Sequence, residues 1–197
     1  MRLLIATTNQ HKLDEYRAIF ADLPYTLVNL RDLGITDDVE ETGTTFAANA
    51  RLKAEAYAAQ SGLLTLADDS GLVVDALDGR PGVYSARYGG PGVTPAEQHR
   101  LVLDELAAKP SAPRTARFVC VIVLAQPGRP TVEVEGTVEG EIAPTPQGTG
   151  GFGYDPLFWL PELGLTMAEL SAAEKNAISH RGHAAQRAHA VLQTYGA

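Results

Sequence analysis

The residues best suited to do chemistry in this 197-residue sequence are acidic pairs. Asp68 and Asp69 stand between two apolar runs, Leu63-Leu64-Thr65-Leu66 and Leu72-Val73-Val74, and Ser70-Gly71 follows them. Adjacent carboxylates repel and lose hydration when partly buried, so they cost stability unless positive charge lies beside them. The pattern predicts a strand that ends on the two acids, and a divalent cation with its hard oxygen ligands is the usual compensation there. Asp-Asp-Ser-Gly is also ordinary turn composition, so a surface turn is the bland alternative. A second pair, Glu40-Glu41, precedes a helical pattern that begins near Phe46. It either favours the positive end of that helix or completes the metal site of Asp68 and Asp69.

Cations stand at matching places. Arg2-Leu3-Leu4-Ile5-Ala6 reads as a strand, Thr7-Thr8-Asn9-Gln10-His11-Lys12 as a polar turn, and Leu13, Tyr16 and Phe20 as the apolar stripe of a helix. Strand, turn and helix leave free backbone N–H groups at a dipole end that attracts anions. Lys12 opposes that dipole and makes better sense facing a phosphate. The glycines of a Walker A loop are missing, and a plain capped turn is the competing account. In the next helix Phe46, Ala50, Lys53 and Tyr57 lie within about 60° of one another. A lysine in that stripe must either snorkel or meet an anion.

A third chemical stretch is Gly148-Thr149-Gly150-Gly151-Phe152-Gly153-Tyr154-Asp155-Pro156. Glycines permit close backbone approach to a ligand, and Phe152 or Tyr154 offers a flat face to a base. The competing account is a tight loop whose aromatics pack in the core. His180, Arg181 and His183 open the last helical pattern, where positive groups oppose the dipole and suggest an anion or a base edge as partner. His180, His183 and His189 have no accompanying cysteine or carboxylate pattern, which argues against zinc.

The elements that must position these groups can be read along the chain. Tyr25 to Leu30 is a strand, and Phe46 to about Gln60 an Ala-rich helix. Asp75 to Arg87 is turn-rich, and Thr94-Pro95-Ala96-Glu97 caps a helix running to about Ala108. Thr115–Leu124 and Thr131–Ile142 form a hairpin across Gln126–Pro130, which makes the sheet mixed. Ser171-Ala172-Ala173-Glu174 is a capping box ahead of helical sequence that ends near Tyr195.

Composition narrows the function classes. Hydrophobic residues make up 45% and charged residues 20% of the chain, ordinary values for a globular protein of one large or two small lobes. No apolar run approaches the ~20 residues of a membrane span. The apolar stretch at Met1–Ile5 is too short for a signal peptide, so the expected compartment is the cytoplasm. Cys120 lies in an apolar strand and, as the single cysteine, forms no intrachain disulfide. A net charge of −8 disfavours generic nucleic-acid or anionic-membrane binding but allows a small polyanion held through local cations.

Taken together, six motifs occur in one order. They are Thr7-x-Asn9-x-x-Lys12, Glu40-Glu41-Thr42-Gly43-x-x-Phe46, Ala67-Asp68-Asp69-Ser70-Gly71-Leu72, Gly82-x-Tyr84-Ser85-Ala86-Arg87, Gly151-Phe152-Gly153-Tyr154-Asp155-Pro156 and Glu174-Lys175-Asn176-x-x-Ser179-His180-Arg181-Gly182. This arrangement, over residues 3 to 182, resembles the inosine triphosphate pyrophosphatase family. The resemblance implies one α/β domain over residues 1–197. It would be elongated and two-lobed around a long mixed β-sheet flanked by helices, with the active site in the cleft between lobes, usually as a homodimer. It also implies Mg²⁺-dependent hydrolysis of non-standard purine nucleoside triphosphates (ITP, dITP, XTP) to monophosphate and pyrophosphate.

Carried over by position, the turn of Thr7, Thr8, Asn9, Gln10, His11 and Lys12 holds phosphate with Lys53 and Ser70. Asp69 is metal ligand and general base, Asp68 stands beside it, and Glu40 or Glu41 joins the metal shell. Phe152, Gly153, Tyr154 and Asp155 form the base wall, and Lys175, His180 and Arg181 close over base and phosphates. Two rivals differ in their expectations. A Maf-like pyrophosphatase would lack the Gly151–Pro156 and Ser179–Gly182 motifs, and a non-catalytic nucleotide-binding module would have lost its acidic pairs.

Overall fold

The computed structural model describes residues 1–195. Its strands are β1 (Arg2–Ile5), β2 (Thr26–Asn29), β3 (Leu64–Val74), β4 (Thr115–Ala125), β5 (Val132–Ile142), β6 (Phe158–Leu160) and β7 (Leu165–Thr166). The helices are α1 (Gln10–Ile19), α2 (Phe46–Ser61), α3 (Pro95–Ala107), α4 (Ala172–Ile178) and α5 (His180–Tyr195), joined in places by short 3₁₀ turns. The strands form one sheet in the order β2-β1-β3-β4-β5-β6-β7. β1 pairs in parallel with β2 and β3, whereas β6 is antiparallel to both β5 and β7. The sheet is mixed because α1 and α2 carry the chain back between parallel strands, whereas β4 to β5 and β6 to β7 return through short turns. Among the described residues no helix is long and apolar enough to cross a membrane.

The chain divides into two units. Among the described residues, unit 1 comprises 1–69, 120–136 and 180–195, and unit 2 comprises 70–119 and 137–179. The core of unit 1 joins Leu3, Ile5, Leu64 and Leu66 of the sheet to Tyr16 of α1, to Phe20 at the C-cap of that helix and to Ala184, Ala188 and Leu192 of α5. Unit 2 has its own core, in which Leu72, Val74, Phe118 and Phe158 meet Val102 and Leu106 of α3. The rings of Phe118 and Phe158 lie 4.4 Å apart at the centre of that cluster.

The capping signals act as the sequence indicates. Thr94 with Glu97 and Ser171 with Glu174 form complete capping boxes, and Asn9 caps α1 through bonds from the His11 and Lys12 N–H groups. One local expectation is overturned: Asp68-Asp69-Ser70-Gly71 is not a turn at a strand end. It lies inside the eleven-residue strand β3. The apolar runs on either side are one strand, and the acids tolerate its interior because neighbouring elements supply cations and donors.

Candidate active site

Successive side chains of a strand point to opposite faces, so Asp68 and Asp69 enter two different environments. Asp68 shares a face with Leu64 and Leu66, where α1 and α5 pack. Its Oδ2 lies 2.9 Å from Lys12 Nζ, 3.3 Å from Arg181 Nη2 and 3.8 Å from the Cys120 thiol. Arg181 is itself buried and places Nη1 2.8 Å from Glu15 Oε2. Burial alone would raise the Asp68 pKa, yet Lys12, Arg181 and Lys53 together outweigh it and hold the carboxyl well below the usual range. The same burial and the Asp68 charge push the Cys120 thiol up to about 12, so it stays a protonated donor.

Asp69 faces α2. Its Oδ2 accepts a 3.1 Å hydrogen bond from the Asn49 amide, whose Oδ1 in turn accepts the Gly43 N–H at 2.8 Å. Burial raises the Asp69 pKa, and the Glu41 charge adds to it. Lys53 and the Asn49 bond oppose the rise without cancelling it. The Lys53 ammonium pairs with the Glu41 carboxylate, so the lysine in the apolar stripe meets an anion instead of snorkelling. Its pKa rises although burial pulls it down, because Asp68, Asp69 and Glu41 surround it. Asp69 is therefore a carboxylate of enhanced basicity beside a fixed cation.

The turn after β1 is organised by its own side chains. Thr7 Oγ1 accepts from the Asn9 N–H at 3.1 Å, and Gln10 reaches Asp14 at 2.8 Å. Thr7, Thr8, Asn9 and Gln10 line a shallow hollow with Asn29 and Arg31. His11 is exposed, and Glu40 is exposed while Glu41 is half-buried. His180 is buried at the first residue of α5.

Unit 2 carries the aromatic loop. Ser70 is its first residue, half-buried in β3 directly after Asp69. Lys175 Nζ lies 2.7 Å from Asp155 Oδ2 and 4.5 Å from the centre of the Phe152 ring. Asp155 Oδ2 also accepts the Phe152 N–H at 2.7 Å, which folds the carboxylate back over the loop. That fold requires glycine at position 151, where φ is +67° and a Cβ would lie 2.1 Å from the carboxylate oxygen. Tyr154 is buried and donates its hydroxyl to the Ser85 carbonyl at 3.1 Å.

The structure thus brings Lys12, Asp68 and Arg181 together, Lys53, Glu41 and Asp69 together, and Phe152, Asp155 and Lys175 together. Glu15, Asn49 and His99 also join these groups, and none of them belongs to a sequence motif. Asn49 had a signal, since it lies on the same helical stripe as Phe46 and Lys53, and Glu15 stands one turn beyond Lys12 on α1.

Asp69 and Glu41 are the residues that could hold a divalent cation. Among the described residues no three His, Cys, Asp or Glu side chains converge into a cage. Mg²⁺ ordinarily takes one or two carboxylates together with phosphates and water, and Asp69 with Glu41 offers two hard carboxylates close enough to feel each other's charge.

Comparison with known proteins places the chain. A dITP/XTP pyrophosphatase of Exiguobacterium sibiricum is 49% identical over 195 residues, covering 99% of this chain and 98% of the relative. One from Geobacter sulfurreducens is 52% identical over 183 residues, 93% and 92% of the two chains. The structure of a HAM1 protein from Coxiella burnetii superposes with a TM-score of 0.91 at 43% identity, covering 98% of each chain. The Staphylococcus aureus Ham1 protein gives 0.89 at 43%, covering 99% of this chain and all of that one. With the Ham1 family profile matching residues 3–191 and relatives this similar over nearly their whole length, the chain belongs to the Ham1 family.

Proposed function

We propose that this chain hydrolyses non-standard purine nucleoside triphosphates, ITP, dITP and XTP, to the monophosphate and pyrophosphate, clearing them from the nucleotide pool. The observation that carries the reading is Asp69, a buried carboxylate of raised pKa fixed by Asn49 and flanked by the Lys53–Glu41 pair. Relatives half identical to the chain bear the name dITP/XTP pyrophosphatase.

Asp69 takes one proton from water, the water oxygen bonds to phosphorus, and the α–β anhydride bond breaks with its electron pair leaving on oxygen. A triphosphate carries about four negative charges, and catalysis at phosphorus is mainly positioning and charge stabilisation. Lys12 and Lys53 supply fixed cations in a protein of net charge −8. Mg²⁺ held by Asp69 and Glu41 would neutralise the remaining phosphate charge. The reading favours Glu41 over Glu40 as second ligand because its carboxylate is held at Lys53 near Asp69.

Base choice is assigned to Phe152, Gly153, Tyr154, Asp155 and Lys175. Hypoxanthine and xanthine present a 6-oxo acceptor where adenine presents a 6-amino donor, and a buried donor left facing a donor discriminates strongly. His180 and Arg181 belong to the same assignment, and an Arg181→Ala protein that kept full ITP-over-ATP preference would remove Arg181 from base reading. Homodimer formation and a cytoplasmic setting complete the proposal. Light scattering would then report twice the 20.9 kDa chain mass.

The test is a product assay with Mg²⁺ and ITP, XTP, ATP or GTP in parallel. We expect pyrophosphate from ITP and XTP, little from ATP and GTP, and a loss of about 10²–10⁴-fold in Asp69→Asn. Diphosphate with phosphate as the products would overturn the assigned bond.

A further inference from the structure

His99 lies on α3, in a motif-free stretch, and is 8% exposed. Its Nε2 is 2.8 Å from the Gly153 carbonyl. A carbonyl only accepts, so this nitrogen carries the proton. The neighbouring Gln98 is buried too, and its amide donates at 3.3 Å to the carbonyls of Ala86 and Tyr88. Tyr154, 5.9 Å from the His99 ring, donates to the Ser85 carbonyl, and Ser85 Oγ accepts the Leu72 N–H at 2.9 Å. Two adjacent side chains of one helix thus hold two loops. One is Gly82–Arg87, a motif with no role so far, and the other is the aromatic loop at Gly153.

We propose that His99 is a positioning residue for base recognition, holding the Gly153 carbonyl so that the Gly153–Tyr154 peptide and the adjoining Phe152 keep one orientation. The inference rests on the assignment of Phe152–Asp155 as the base wall. Gly153 has φ +59° and nothing within 4 Å of where a Cβ would stand, so its own packing does not fix the peptide. Glycine explores the widest backbone range of any residue. The C=O and N–H of a trans peptide point in opposite directions, so a bond that fixes the Gly153 carbonyl also fixes the Tyr154 N–H. A base edge meeting this loop finds donors in place only while that bond holds.

The experiment compares His99→Ala, His99→Gln and Phe152→Ala by product inhibition, with inosine monophosphate and pyrophosphate as separate inhibitors. Pyrophosphate has no base, so damage confined to base recognition leaves its inhibition constant alone, whereas general loss of folding weakens both. We expect His99→Ala to weaken inosine monophosphate about tenfold, the scale of one lost hydrogen bond at an ordering site, with pyrophosphate inhibition and kcat within about twofold. Gln keeps an N–H at similar reach and restores most of the affinity. Equal weakening of both inhibitors by His99→Ala, no effect, or a Gln variant as impaired as Ala overturns the positioning role. If Phe152→Ala leaves inosine monophosphate binding unchanged, the base-wall assignment itself fails. If Phe152→Ala weakens it and His99→Ala does not, only the role of His99 fails.

Discussion

Asp68 and Asp69 are the same residue type one position apart, and the fold drives their proton affinities in opposite directions. Asp68 is kept ionised by Lys12 and Arg181. Its folded pKa is depressed, so its stabilisation is full above the ordinary carboxylate value and is lost as pH falls through the depressed one. Asp68→Asn leaves Lys12 and Arg181 without their shared counter-ion, and urea unfolding at pH 7 should show a loss of about 3–5 kcal/mol. The same variant should lose less stability than the parent as pH drops below the usual carboxylate range. Asp69 behaves in the opposite sense. Its raised pKa means that folding disfavours its charge, so above that pKa the ionised form costs stability. Asp69→Asn should therefore unfold no more easily than the parent at pH 7 while its turnover collapses, which pairs the urea measurement with the product assay. The side chain assigned as the proton acceptor is held at some cost to the fold, and the one beside it is not.

At the scale of elements, most of the secondary structure was legible. The stripe of Leu13, Tyr16 and Phe20, the capping boxes at Thr94 and Ser171, and the 115–142 hairpin depend on local spacing and local hydrogen bonds. The uninterrupted strand β3 was not legible, because turn composition at Asp68–Gly71 competes with compensating charges from α1, α2 and α5, all distant in sequence. The approach of β5 to α5 was equally hidden. A Cβ at Gly136 would lie 2.2 Å from the His180 carbonyl oxygen and 2.3 Å from the Ala184 nitrogen, so the strand passes directly beneath the helix start. Backbone cannot yield as a flexible side chain can. Gly136→Ala should cost at least about 1–3 kcal/mol in denaturant unfolding, the range for overpacking, and should displace the start of α5 with Arg181 on it. A neutral result would mean that the strand and helix can separate without loss.

For the molecule as a whole, three of the four chain boundaries between the two units fall inside β3, β4 and β5, and the fourth lies between α4 and α5. Three continuous strands join the units where a flexible linker would otherwise be, so neither can lose its strands alone. Calorimetry should show one transition with equal calorimetric and van't Hoff enthalpies, and two resolved transitions would show that the units fold independently. The family, the α/β class with its mixed sheet, the paired acids, and the turn and loop that carry Lys12 and Phe152 are all legible in the amino-acid order. Each is written in nearest-neighbour chemistry or in motif order. Only the folded chain sets which acid has its proton affinity raised and which lowered, that Lys53 meets Glu41, and that Glu15, Asn49 and His99 pack behind the assigned groups. Those outcomes depend on burial and on charges brought within a few ångströms by chain segments far apart in sequence, and no local pattern encodes either.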